Sequence, residues 1–157
     1  MDSYLLLKWV HVLSSTVLFG TGLGTAFHGW MATRSGDLRA MAVSGRNVVL
    51  ADWLFTTPAV IVQPVTGVLL ARQAGFGWDT PWLLLSIALY GLVGACWLPV
   101  VWLQIRMRHL AEGAVASGEA LPALYHRYAR IWFALGWPAF IGVVVIFWLM
   151  IAKPALL

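Results

Sequence analysis

The residues best equipped for chemistry in this chain lie where water is scarce. Lys8 and His11 stand near the start of a long apolar stretch, and His28 near its end. An ionisable side chain in such a stretch is costly to desolvate, so it points to function rather than to folding. His11, about seven residues or roughly 10 Å into a helix, presents an imidazole that can ligate a metal or pass a proton. Met150 and Lys153 lie at a similar height near the other end of the chain, where no second histidine does. A second group comprises His28, Asp52, Arg46 and Arg130, with His109 and His126 nearer to water. Asp52 could orient the His28 imidazole, or pair with Arg46 or Arg130 and neutralise charge.

Two polar stripes connect these groups. On a helix, Asp52, Thr56, Gln63 and Thr66 fall within about 40° of one line. Ser86, Tyr90, Trp97 and Gln104 form a similar line that continues to Arg108. Polar stripes in a membrane span face the bundle interior, where they form either a cavity wall or plain interhelical hydrogen bonds. Pro58 and Pro64 remove helix donors and free carbonyls beside the first stripe, which predicts a kink there. Pro99 predicts another in the next span.

The elements that must position these residues are transmembrane helices. With 61% hydrophobic and 10% charged residues, and a mean hydropathy of +0.84, the composition is far from that of soluble domains, where about a quarter of residues are charged. A bilayer crossing takes roughly 20 apolar residues. Four stretches qualify, at about 4–31, 48–71, 82–105 and 125–152. They are too long and too continuously apolar for barrel strands. The expected fold is all-α, an integral membrane four-helix bundle forming one domain over residues 1–157.

Seven of the ten Lys and Arg residues, Arg34, Arg39, Arg46, Arg106, Arg108, Arg127 and Arg130, surround the first and third connections, leaving Lys8, Arg72 and Lys153 for the other side. By the positive-inside rule both termini are extracytoplasmic and the protein is multi-pass in the cell inner (plasma) membrane. The basic balance therefore reports topology, and no nucleic-acid partner is expected. No positive n-region precedes the first apolar run, so a cleaved signal is not expected. The lone Cys96 excludes a disulfide or a cysteine-based zinc site within one chain.

Several features read as structural. The Gly20-x-x-x-Gly24 face of the first span is expected to pack against another helix or a second copy, and Gly91, Gly94 and Ala95 form a similar face. Ser14 and Ser15 are expected to bond back within their own helix. A short interfacial helix is expected at about 37–43, and a solvent-facing loop at about 109–124. Trp78 and Trp82 fit an interfacial aromatic belt.

A hydrophobic four-helix bundle can hold a macrocycle between its helices, and imidazole is a good ligand for haem iron. His11 would be the sole axial ligand or share the iron with Met150, while structural hydrogen bonding or a proton relay remains open for it. Lys8-x-x-His11, the run Thr56-Thr57-Pro58-Ala59-Val60-Ile61, Trp82 and Lys153-Pro154 together resemble the HemJ-type protoporphyrinogen oxidases and their CopD-like relatives. Within that superfamily the chain is most similar to small bacterial integral membrane proteins of unestablished function. The resemblance implies haem b held by His11 and electron transfer or porphyrin redox chemistry. That family usually has a histidine two residues, and a lysine four residues, after the tryptophan of the third helix. Leu84 and Ser86 stand there instead, so the cation that would hold a propionate or substrate carboxylate is missing.

The expected function is thus that of a haem-b membrane protein in electron transfer or porphyrin chemistry. The alternative is a non-enzymatic transport or relay protein, or an accessory subunit of a larger complex, using the two stripes as a polar path. Besides lipids, a quinone or a porphyrin is the candidate small molecule, and a homodimer or larger membrane complex the candidate assembly. Copper handling ranks lower, because Met1, Met31, Met41, Met107 and Met150 form no methionine-rich motif.

Overall fold

The computed structural model describes residues 2–155. Among these, four helices are long and apolar enough to cross a membrane, and there are no strands. We number them α1 (Ser3–Ser35), α2 (Leu38–Gln73), α3 (Pro81–Ser117) and α4 (Ala123–Ala152). Local chemistry sets their ends. Gly36 takes the left-handed conformation (φ 71°) that stops α1, and Asp37 then caps α2, its carboxylate accepting from the N–H groups of Arg39 at 2.8 Å and Ala40 at 3.3 Å. Pro81 opens α3, where its missing N–H is harmless, and Gly118 (φ 71°) ends it.

The helices overrun the apolar stretches. The short helix expected at 37–43 is the start of α2, which is 36 residues long, and the expected loop at 109–124 is helical through Ser117. Packing explains both differences. Met41, Ala42, Ala111 and Tyr125 form a buried cluster at this end of the bundle, giving amphipathic polar segments an apolar face to bury.

The four helices alternate in direction, so all seven arginines of the first and third connections gather at one end, opposite the termini. Beyond the apolar zone at this arginine-bearing end, Glu112 accepts from Arg46 Nε at 3.2 Å and lies 3.8 Å from Arg108 Nε. At the terminal end, Ala71, Trp82, Leu83 and Leu149 form a second cluster. Trp82 is therefore buried, edge-on to Phe76 at 5.1 Å, and does not stand in an interfacial belt; Trp78 is exposed.

Burial is inverted relative to a soluble protein. Asp52, Thr56, Thr66, Ser86 and Gln104 are buried, while Trp9, Ile61, Leu98 and Ile151 point outward. Lipid on the outside and polar partners inside account for this pattern. α3 packs along α4 and α2, and α2 along α1. α1 and α4 touch at a few points. Phe19 stacks on Phe140 at 5.2 Å, and further along Thr33 Oγ1 lies 3.3 Å from the Tyr125 hydroxyl.

The expected glycine faces do not make these contacts. Gly20, Gly24, Gly91 and Gly94 have no atom near the space a Cβ would take. The close approaches are elsewhere. A Cβ on Gly142 of α4 would stand 2.7 Å from Val93 of α3, and one on Gly45 of α2 3.3 Å from the Arg108 backbone. Gly142→Val is expected to overpack the α3–α4 seam and destabilise by about 1–3 kcal/mol, whereas Gly91→Ala leaves stability unchanged or slightly raised. Thermal unfolding of both variants in detergent checks this.

Candidate functional site

The site is organised by the irregular middle of α2. Pro58 has no N–H to give the Leu54 carbonyl, and the helix widens just before it into one π-helical turn, Asp52–Thr56, closed by the Thr57 N–H to the Asp52 carbonyl. Within that turn the Thr56 hydroxyl donates to Asp52 Oδ1 at 2.8 Å. One helical turn on, Pro64 withholds the N–H that the Val60 carbonyl would receive. The Tyr90 hydroxyl of α3 supplies the replacement at 2.6 Å. Ser14 of α1 donates to the Ala59 carbonyl at 3.2 Å, across helices rather than within its own; Ser15 does bond back, to Val12 at 2.8 Å.

His11 faces the same helix. Its Nδ1 lies 2.8 Å from Thr66 Oγ1 and its Nε2 3.2 Å from Gln63 Nε2. The Thr66 hydroxyl has carbonyls of Val62 at 2.8 Å and Gln63 at 3.2 Å to receive its one hydrogen, so toward His11 it accepts. That makes His11 the Nδ1–H tautomer, with its Nε2 lone pair accepting from the Gln63 amide. Gly67 permits the approach, since a Cβ there would sit 3.2 Å from the ring. Both ring nitrogens are thus engaged.

A cavity of about 460 Å³ lies between the middle parts of α1 and α4, backed by α2 and α3. Its walls are apolar and small, with Gly22, Ala26, Gly136 and Phe140 among them. Asp52, Thr56 and Gln104 line it toward the arginine-bearing end, Trp97 lies two turns further along α3, and Tyr90 beyond that. Asp52 is 4% exposed, with Gln104 beside its carboxyl. Among the described residues, Asp52 Oδ2, Trp97 Nε1 and Gln104 Oε1 have no hydrogen-bond partner. Buried polar groups without partners call for an explanation, and an apolar cavity beside them is one place to seek it. Because α1 and α4 part along this stretch, the cavity opens sideways toward lipid.

A family model described as "Predicted integral membrane protein (DUF2269)" matches residues 5–154. The chain belongs to this family. No curated protein and no solved structure matches it.

In this DUF2269 chain the expected site residues separate. Asp52, Tyr90 and Gln104 line the cavity, while His11 and Gln63 form a distinct pair toward the terminal end. Ser86 is buried and donates to the Trp82 carbonyl at 2.7 Å, within α3. Met150 packs on the cluster of Ala71, Trp82, Leu83 and Leu149. Lys8, His28, Arg46 and Arg130 are exposed, and Arg46 pairs with Glu112 rather than Asp52. The layer imagined around His28 and Asp52 is therefore not assembled. Depth along each helix suggested it, but helix rotation turns His28 and Arg130 outward.

A haem fits these donors poorly. No histidine lines the cavity, and a haem on His11 would require Gln63 or Thr66 to release the ring. Trp97 lines the cavity as the second stripe led one to expect, whereas Trp132, which also lines it, drew no binding role from the sequence because a tryptophan in an apolar span reads as packing.

Tyr90→Phe strips the Val60 carbonyl of its donor where no water can replace it. The expected cost is about 1–3 kcal/mol, read as a lowered unfolding temperature with the helical content of the folded protein unchanged.

Proposed function

We propose that this membrane protein draws an apolar amphiphile sideways from the bilayer and holds its oxygen-bearing head at Asp52 and Gln104. The observation that carries the reading is the lipid-side cavity with Asp52, Gln104 and Trp97 on its wall, each holding an unpartnered polar atom. A carboxyl group buried in a span is costly unless something else satisfies it. A ligand hydroxyl would satisfy Asp52 Oδ2 or Gln104 Oε1, and a ligand oxygen would accept from Trp97 Nε1. Isoprenoid quinones and quinols carry both functions on a flat ring suited to tryptophan and phenylalanine walls. The arginine-bearing end faces the cytoplasm by the positive-inside rule, in the inner membrane, so the head lies in the cytoplasmic half of the span.

Quinones quench tryptophan fluorescence, and Trp30, Trp97, Trp132 and Trp137 line the cavity. A short-chain isoprenoid benzoquinone should therefore quench the protein in nanodiscs saturably. Asp52→Asn should weaken binding of the corresponding benzoquinol, which carries the hydroxyl and is read by its displacement of the quencher, about tenfold, the worth of one hydrogen bond to a charged group. Gly136→Leu, which fills the cavity, should abolish saturable quenching. Linear, non-saturating quenching equal in all three proteins would refute the proposal.

The resemblance to HemJ-type proteins supports a rival reading, haem b on His11 serving electron transfer. It predicts a Soret band in protein purified after expression with ample haem, lost in His11→Ala. Our reading predicts no such band, because His11 is held by Gln63 and Thr66.

A further inference from the structure

Beside Gln104, and one helical turn from Asp52 at Val48, the helices form a second, partly open void of about 30 Å³ toward the arginine-bearing end. Gly29 of α1, Ser44 of α2, Gln104 and Arg108 of α3, and Tyr125 and Trp132 of α4 line it, so every helix contributes. Ser44 is 3% exposed and Gln104 8%, and Ser44 Oγ, Gln104 Oε1 and Arg108 Nε have no hydrogen-bond partner among the described residues. A buried water needs about 10–15 Å³ of free volume and two to four polar partners, and this void offers both. Gln104 and Trp132 line the void and the cavity alike, so together they form the partition between them.

We infer that this void is a hydrated inlet through which Asp52 exchanges protons with water at the arginine-bearing end and not with the terminal end. The inference rests on the reading of Asp52 as the head-group contact. Bulk water passes a proton to the water on Ser44 and Gln104, which hands one on to the Asp52 carboxylate and is left unchanged; release runs in reverse. Head-group binding is thereby tied to the pH on that one side.

The surroundings favour this direction. Toward the terminal end the Thr56 hydroxyl donates to Asp52 itself and the Tyr90 hydroxyl to Val60, and the cavity walls between are apolar. On the inlet side the charged group at the void is Arg108, whose Nε lies 3.8 Å from Glu112 and whose Nη2 lies 2.8 Å from Nε2 of the exposed His109. Arg46 is drawn to Glu112, Tyr125 lies within hydrogen-bond distance of Thr33, and His28 of α1 and Arg130 of α4 are exposed. Arg108 therefore raises the energy of an excess proton on the void's water, which slows the exchange without closing the route.

The test is infrared spectroscopy of the full-length protein in vesicles of known orientation. The protonated Asp52 carboxyl band is identified by its loss in Asp52→Asn. Its hydrogen–deuterium exchange should be at least tenfold slower in Ser44→Val, which fills the void with an apolar group. Ser44→Thr has the same shape but keeps the hydroxyl, and should stay within twofold of wild type. A pH jump at the arginine-bearing face should move the band, and a jump at the opposite face should not. Equal exchange in the Val and Thr variants, a response to the opposite face, or no titrating Asp52 band at any pH where the fold holds would each overturn the inlet. Quinone quenching on the same preparations keeps the two ideas apart. Retained binding with unslowed exchange overturns the inlet alone, and slowed exchange without binding overturns the amphiphile reading alone.

Discussion

A 2.6 Å hydrogen bond from the Tyr90 hydroxyl to the Val60 carbonyl captures the constraint under which the whole bundle is built. Inside a bilayer no water can satisfy a backbone group that proline has orphaned, so another helix must do so. α2 carries Pro58 and Pro64 in its middle and depends on its neighbours for repair. Tyr90 reaches in from α3 to the carbonyl that Pro64 orphans, and the π turn at Asp52–Thr56 absorbs the distortion before Pro58. The polar stripes are thus first a solution to a backbone problem. What they leave unsatisfied, at Asp52, Trp97 and Gln104, lies along one wall of the cavity.

The bundle is consolidated at its two ends and hollow between them. The Met41, Ala42, Ala111 and Tyr125 cluster holds the arginine-bearing end, and the Ala71, Trp82, Leu83 and Leu149 cluster holds the terminal end. Between them α1 and α4 separate, bridged by Phe19 on Phe140 at one level and by Gly29 under Trp132 at another. Such an arrangement keeps stability apart from the cavity, so the middle can stay open without endangering the fold. It also gives His11 a structural place, clamped to α2 near the terminal cluster.

Much of this was legible in the sequence, because hydropathy and the helical repeat act residue by residue. The four spans, the inward stripes through Asp52 and Thr66 and through Tyr90 and Gln104, and the disturbance by Pro58 and Pro64 all follow from single-helix periodicity. What depends on two helices at once was not legible. The Gly20-x-x-x-Gly24 spacing shows that close approach is possible, but not that a neighbour stands there. His11, Gln63 and Thr66 were each singled out, yet their union needs the register of α1 against α2. His28 and Arg130 share a depth with Asp52 but not its direction. The helical extensions near Met41 and Ala111 were hidden because their apolar residues are few and find each other only across α2 and α3. The cavity is an absence of packing, which no single segment records.

The central claim is that a bilayer amphiphile occupies the space between α1 and α4. Mass spectrometry of apolar molecules extracted from the purified protein, compared with those of the surrounding membrane, tests it most directly. The account predicts a near-stoichiometric hydroxyl- or carbonyl-headed isoprenoid, enriched over bulk lipid and lost when Gly136→Leu fills the cavity. Extracts that mirror the bulk membrane, in wild type and variant alike, would contradict it.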